Sequence, residues 1–364
     1  MSAPELRSVL VVGTGLIGAS IGLALRGRGV EVYLRDASAD ALAQAVARGA
    51  GLPDGERGDV DLAVAAVPPG KAVGVVAALL DEPGVGAVTD VTSVKAPLAA
   101  GLADHPGRAR CVGGHPMAGR EVSGPGAAHH DLFRGRPWVI TPLDPVASAA
   151  EATRPVELVT QLALLVGAMP VRMTPEQHDA AVAVVSHAPH LVSALVAGRL
   201  REASGHEVRL AGGGVRDITR VAASDPAMWR EILSANALAV RGVLADVRAD
   251  LDAAIAALEA PGAPDLDRVE ALLHAGVAGR GRLPGKHGSG HEDFVGVPVE
   301  LADRPGQLAG LFADVGEVGV NVEDVRIEHV PGEPVGLVEL SVRPQARDVL
   351  VDGLRGRGWT VLEG

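Results

Sequence analysis

The residues able to do chemistry stand in four short segments of the 364-residue chain. Asp90-Val91-Thr92-Ser93-Val94-Lys95 follows an apolar run and offers a hydroxyl, Ser93, beside a lysine in a chain that is poor in lysine. Gly113-Gly114-His115-Pro116-Met117-Ala118-Gly119 sets a histidine among residues of little packing value. Ser186-His187-Ala188-Pro189-His190 puts two histidines at i, i+3, on one face of a helix that Pro189 should bend towards a cleft. Gly212-Gly213-Gly214-Val215-Arg216-Asp217-Ile218-Thr219-Arg220 repeats that spacing with Asp217 and Arg220. Histidine suits proton transfer near neutral pH, and arginine's planar fork of donors suits a carboxylate. Together these segments describe a base, a hydroxyl to orient it and a cation for an acidic substrate. Metal ligation by His187, His190 and a carboxylate is the weaker alternative: no cysteine supports it, and two histidines one turn apart are unspecific. His129, His130 and His178 are assigned to ordinary core or surface positions.

A second partner is written into the N-terminus. Gly13-Thr14-Gly15-Leu16-Ile17-Gly18 follows a Val-rich run and opens a helical pattern, the context that a dinucleotide fingerprint needs. Gly13 allows the tight turn, Gly15 lets backbone approach a pyrophosphate, and Gly18 lets helix and strand pack closely. The amides at Leu16 and Ile17, with the positive end of the helix dipole, would face the phosphates. Asp36, at the end of the next strand, would accept hydrogen bonds from ribose hydroxyls and repel a 2′-phosphate, favouring NAD; its neighbour Arg35 pulls the other way. Val67-Pro68-Pro69 ends a later strand and places a loop at the same carboxyl edge.

The elements that position these groups follow from periodicity. Ser8–Val12, Glu31–Leu34, Leu62–Val67 and Ala87–Val91 read as buried strands alternating with helices, hence a parallel α/β Rossmann-type domain over residues 1–171. Strands near Val112 and over Trp138–Thr141 extend it. Residues 172–280 read as all helical. Thr174-Pro175-Glu176-Gln177 forms a capping box, and Asp225-Pro226 starts a long helix running to Leu258. Residues 281–292 read as a glycine-rich linker. Residues 293–364 read as a βαββαβ, ferredoxin-like module.

The glycine fingerprint, Ser93-Val94-Lys95, Gly114-His115-Pro116-Met117-Ala118-Gly119, Ser186-His187-Ala188-Pro189-His190 and Gly212-Gly213-Gly214-Val215-Arg216-Asp217-Ile218-Thr219-Arg220, followed by Ser224-Asp225-Pro226 and Trp229, resemble the prephenate dehydrogenase family in order and spacing. Asp303-Arg304-Pro305-Gly306 between strand and helix makes the C-terminal module similar to an ACT regulatory domain. The resemblance implies NAD-dependent oxidative decarboxylation of prephenate in tyrosine biosynthesis. It implies His115 as catalytic base and Ser93 as the group orienting it. Arg220 would hold a substrate carboxylate, with His190, His187 and Gly213 at the substrate and Glu121 as a gating acid. It implies a homodimer through the helical domain and tyrosine as effector of the ACT-like module. Arogenate in place of prephenate, or a non-catalytic nucleotide or amino-acid sensor, are the alternatives. A β-hydroxyacid dehydrogenase is disfavoured, because no lysine occurs between Lys95 and Lys286.

Composition narrows the remaining classes. A net charge of −12 without a local basic cluster disfavours nucleic acid. The single Cys111 permits no internal disulfide and suits a reducing compartment. No uninterrupted apolar run approaches the roughly 20 residues a bilayer span needs, so a cytoplasmic protein is expected. The abundance of Ala, Leu and Val between Arg172 and Arg280 exceeds what one small core requires and points to a subunit contact.

Overall fold

Strand β1, Ser8–Val12, shows how this sequence builds a two-sided sheet. In the computed structural model Val9 and Val11 face one hydrophobic core while Leu10 faces a second, the period-two division of a strand buried on both sides. The structure describes residues 5–55, 57–119, 122–143, 154–260, 262–283, 294–329 and 335–362. Two compact units divide it, Met1–Val247 and Arg248–Gly364.

In the first unit, β1 is followed by α1 (Leu16–Arg26), β2 (Glu31–Arg35), α2 (Ala39–Ala47), β3 (Leu52–Pro53), β4 (Val60–Ala65), α3 (Pro69–Asp81) and β5 (Val85–Asp90). The five strands are parallel in the order β3-β2-β1-β4-β5, so the chain reverses direction across the sheet between β1 and β4. That switch point is where open α/β sheets bind ligands. After α4 (Ala96–Gly101), β6 (Val112–Pro116) lies beside β5 through a Val88–Cys111 bridge and pairs antiparallel with β7 (Pro137–Pro142). Helix α5 (Arg154–Leu165) returns over the first core. The short strand β8 (Met169–Arg172), which the helical pattern of this stretch concealed, joins β7 in parallel.

The helical part opens as expected. Thr174 and Gln177 form the capping box and Pro175 takes the first position of α6, Pro175–Val182. Pro189 acts differently from a plain kink. Lacking an N–H, it cannot bond to Val185, and the helix widens into a π-helical turn, Ala183–His187, before resuming as α7, Ala188–Arg199. The turn leaves Val184 and Val185 exposed and brings His187 and Ala188 to 1% exposure. By length and composition Pro175–Arg199 is apolar enough to cross a membrane, yet it carries His178, Asp179, His187 and His190, all buried.

Helices α8 (Gly205–Arg209), α9 (Gly213–Thr219), α10 (Pro226–Ala235) and α11 (Ala237–Leu258) follow. The expected single helix from Pro226 to Leu258 is broken at Asn236, whose backbone leaves helical geometry (φ −118°, ψ 25°) while its side chain is used elsewhere.

The second unit holds α12 (Leu266–Gly281), β9 (Val295–Ala302), α13 (Gln307–Val318), β10 (Asp324–His329), β11 (Val335–Val342) and α14 (Arg347–Gly356). Its antiparallel sheet has the order β10-β11-β9 and packs Val297, Val299, Val338 and Leu340 against Leu311, Leu350 and Leu354. The expected last strand, Thr360–Leu362, contracts to one bridge between Val361 and Val299. The linker expected over 281–292 falls largely outside the described residues.

Candidate active site

The glycine turn has the geometry of a ligand cradle. Gly13 sits at φ +98°, and a Cβ there would lie 2.2 Å from the Ala66 carbonyl oxygen; one on Gly18 would lie 1.9 Å from the Gly13 oxygen. Both glycines are therefore required by close backbone approach. At Gly15 nothing lies within 4 Å of a Cβ, so the turn faces open space. No side chain caps α1, and its first-turn amides, at Leu16 and Ile17, point to that space with the positive dipole end. Asp36 closes the turn: Oδ2 accepts from Thr14 N at 2.6 Å and Thr14 Oγ1 at 2.8 Å, and Oδ1 accepts from Ser38 N at 2.8 Å. Burial alone would raise its pKa, but these donors hold it below the usual aspartate value, so it is ionised. Val67 packs beside Gly13, and Pro68 caps α3 at the same carboxyl edge. These residues fit a dinucleotide. Pro69, Gly70, Thr92 and Val94, with Arg230 and Glu231 of α10, line a cleft opening at these loops.

His115 lies on β6, and its ring meets His178, a residue expected at an ordinary core or surface position. Its Nδ1 is 2.8 Å from Nε2 of His178, and His178 Nδ1 is 2.7 Å from Asp179 Oδ1. Asp179 in turn accepts from the backbone amides of Lys95 and Ala96, both at 2.8 Å. The protons can be assigned along this chain. A carboxylate only accepts, so His178 Nδ1 donates to it, His178 Nε2 accepts from His115 Nδ1–H, and His115 Nε2 is left as a bare base. Burial, then the charge of Lys95, then His178 and His187 hold the His115 pKa well below the ordinary histidine range, so this base is neutral.

Beneath the base lies a buried ion pair. Lys95, 0% exposed, donates from Nζ to Asp90 Oδ2, to the Gly114 carbonyl oxygen at 2.6 Å and to Thr92 Oγ1 at 3.1 Å. Asp90 Oδ1 accepts from Gly114 N at 3.1 Å. The residue before His115 is thus held by both its backbone groups.

The α7 side supplies the other histidines. His187 Nδ1 faces Asn236 Nδ2 at 3.1 Å, and the same amide donates to the Asp179 carbonyl oxygen at 2.8 Å. His190 stacks on Trp229, with ring centroids 3.6 Å apart and planes 11° apart. Arg220 ends α9 on a short turn packed against α7, a junction bonded by Ser193 Oγ to the Ile218 carbonyl oxygen at 2.7 Å. Its guanidinium is exposed and has no ion pair among the described residues. Gly213 opens α9. Ser93, half-buried between β5 and α4, bonds to no described residue, so the group bonded to His115 is His178. Glu121 lies outside the described residues.

Residues 21–172 match the family described as prephenate dehydrogenase, nucleotide-binding domain, and residues 174–273 its dimerization domain. The chain is 38% identical to the probable prephenate dehydrogenase NovF of Streptomyces niveus, over 97% of this chain and 99% of that one. The chain belongs to the prephenate dehydrogenase family. The family's Bacillus subtilis prephenate dehydrogenase is 31% identical over 70% of this chain and 67% of its own length. Among solved structures, prephenate dehydrogenase from A. aeolicus in complex with hydroxyphenyl propionate and NAD+ superposes with a TM-score of 0.65 at 28% identity, covering 77% of this chain and 99% of that one. Synechocystis arogenate dehydrogenase gives 0.61 at 27%, covering 75% and 99%.

Three residues of this prephenate dehydrogenase family member escaped sequence reasoning: His178, Asp179 and Asn236. Their signal was faint. A His-Asp pair directly follows the capping box on the helix that later carries His187 and His190, but only the fold brings it to His115. The electrostatics agree with neutral His115, His187 and His190 and an ionised Asp179. Burial, reinforced by His178 and opposed by Asp179, pushes His187 down to about 4, and burial lowers His190. Burial would raise Asp179, but the His178 bond and the two amides keep it low.

Proposed function

We propose that this protein oxidises and decarboxylates prephenate to 4-hydroxyphenylpyruvate, with NAD as hydride acceptor, in tyrosine biosynthesis. The observation that carries this reading is the His115–His178–Asp179 chain, which leaves an unprotonated Nε2 in the same compact unit as the glycine cradle. NAD, held by the Gly13–Gly18 turn and Asp36, would supply the acceptor for the hydride on the carbon that bears the ring hydroxyl. His115 Nε2 accepts the hydroxyl proton as the C–H electrons depart. His178 takes up the positive charge that forms on His115 by hydrogen bonding, and Asp179 offsets it. The ring carboxylate then leaves as carbon dioxide, its bond electrons completing the aromatic ring, and His115 returns the proton to the phenolic oxygen.

Arg220 binds a substrate carboxylate, Ser93 orients the ring hydroxyl against His115, and His190 with Gly213 contacts the side chain. His187 supports the widened turn of the helix, and Glu121 gates the site. Leu16, Ile17, Val67 and Pro68 border the cofactor. A turnover assay following NADH, with prephenate against arogenate and NAD against NADP, tests the reading. Absence of turnover with either substrate would sink it, and preference for arogenate would move the same machinery to the amino-acid substrate. His115→Ala should abolish turnover while NAD still binds.

The assembly is read as a homodimer through the helical domain, which exposes Leu195, Leu210 and Leu238. A monomer in sedimentation at micromolar concentration would contradict this. The domain limits are taken as 1–171, 172–280 and 293–364. The last is an ACT-like module that binds tyrosine as end-product inhibitor near Asp303–Gly306. Calorimetry showing no heat with tyrosine would leave it an assembly element. A cytoplasmic location is inferred from the lone Cys111, whose thiol burial pushes far up and makes inert.

A further inference from the structure

Arg35, at the end of β2, immediately precedes the carboxylate that would meet the adenosine ribose. A guanidinium at this edge is the group that would recognise a 2′-phosphate. Here each of its three nitrogens is engaged. Nε donates to Asp54 Oδ2 at 2.6 Å, while Nη1 and Nη2 grip Glu82 Oε2 and Oε1 at 2.9 and 2.8 Å in a bidentate fork. Arg57 closes the cluster, from Nε to Asp54 Oδ1 at 2.9 Å and from Nη2 to Glu82. Two cations and two carboxylates thus balance, and the side chains of Asp54 and Arg57 are 6% and 9% exposed. The bonds from Arg35 push Glu82 down to about 2 against the opposing effect of burial. The ordinary role of an ion-pair cluster is structural, but this one engages the cation that directly precedes Asp36 in the chain.

We propose that Asp54 and Glu82 are specificity-determining residues: by holding Arg35 in a neutral four-membered cluster they deny a 2′-phosphate its cation and leave Asp36 alone at the ribose, selecting NAD over NADP. This rests on the dinucleotide reading above. It explains how an arginine can adjoin the selecting aspartate without relaxing the choice.

The test is calorimetric binding of ADP-ribose and 2′-phospho-ADP-ribose, with thermal unfolding as a folding control. In an Asp36→Ser background, releasing Arg35 by Asp54→Asn and Glu82→Gln should improve the preference for the 2′-phosphate roughly tenfold beyond Asp36→Ser alone, the scale of one charge-assisted contact. Adding Arg35→Ala should abolish that gain. If the triple variant does not fold, Asp36→Ser/Glu82→Gln carries the test and should show a smaller gain in the same direction. A preference unmoved by release, or a gain that survives Arg35→Ala, overturns the proposal while NAD binding stands. Failure of the wild-type protein to bind ADP-ribose overturns the dinucleotide reading itself.

Discussion

His178 can be cut from either of its partners separately, because asparagine and glutamine each imitate one nitrogen of its ring. The amide nitrogen of asparagine falls near the position of Nδ1, so His178→Asn retains the bond to Asp179 and loses the link to His115. The amide oxygen of glutamine falls near Nε2, so His178→Gln still accepts from His115 Nδ1–H and loses Asp179. Both bonds are short, 2.8 and 2.7 Å, and His178 is 0% exposed, so neither is replaced freely by water. The His115 link strengthens only when that ring becomes cationic. A hydrogen bond to a charged group is worth roughly 1.5–3 kcal/mol. At about 1.36 kcal/mol per tenfold, His178→Asn should lower kcat about 10- to 150-fold. His178→Gln replaces an anion-backed acceptor by a neutral one, a loss of about 1 kcal/mol and roughly fivefold in kcat. Steady-state kinetics with prephenate and NAD, beside thermal unfolding of each variant, reads the result. KM for both ligands should change little, because the link matters once charge develops. Each variant deletes one buried bond, so a purely structural His178 predicts equal losses that track Tm. Equal kcat values for the two variants, or glutamine worse than asparagine, would refute the relay.

Three further outcomes follow from the same geometry. Lys95→Met strands the Asp90 carboxylate, and breaking a buried pair costs about 3–5 kcal/mol, so Tm should fall by roughly 6–20 °C in thermal unfolding, while Asp90→Asn/Lys95→Met recovers most of the loss. The folded pKa of His187 is pushed below its unfolded value, so the unfolded state binds protons first as pH falls; stability present above about 6.5 should be lost between there and about 4, and His187→Gln should flatten that part of a denaturation-midpoint profile. Gly15→Ala should keep Tm within about 1 °C, since its φ of −65° suits alanine, yet weaken NAD at least roughly tenfold by placing a methyl in the cradle; Gly13→Ala, at φ +98° and against Ala66, should fail to fold stably, and similar Tm losses for the two would disprove the distinction.

The parts of the fold that follow local rules were legible in the chain. The strand at Ser8–Val12, the capping box at Thr174 and the glycine turn depend on neighbours a few residues away, and each stands where the pattern put it. The break at Asn236 was not legible, because helix propensity continues through it; the residue leaves the helix to give its amide to Asp179, a partner 57 positions earlier. His178 was invisible for the same reason: buried histidines are common, and nothing local distinguishes one that faces another histidine 63 positions away. The effect of Pro189 was half legible. A lost donor was certain, but whether the helix bends or widens depends on how neighbouring elements receive His187.

Lys95 joins the two halves of the site, and its backbone and side chain do separate work. Its Nζ reaches down to Asp90 and to the carbonyl of Gly114, fixing the strand residue next to His115. Its N–H reaches the other way to Asp179, and so fixes the carboxylate that orients His178. His115 on β6 and His178 on α6 are therefore referenced to one residue, although one belongs to the stretch matched as nucleotide-binding and the other to the stretch matched as dimerization domain. A hydrogen bond between two imidazoles tolerates little displacement before it weakens. Separate anchors on two elements would let each small domain motion appear at the 2.8 Å contact; a common anchor makes His115 and His178 move together. This accounts for a wholly buried ammonium in a chain with few lysines. An apolar residue there could match its packing and even its stability once Asp90 was also replaced, but it could not bond the Gly114 carbonyl.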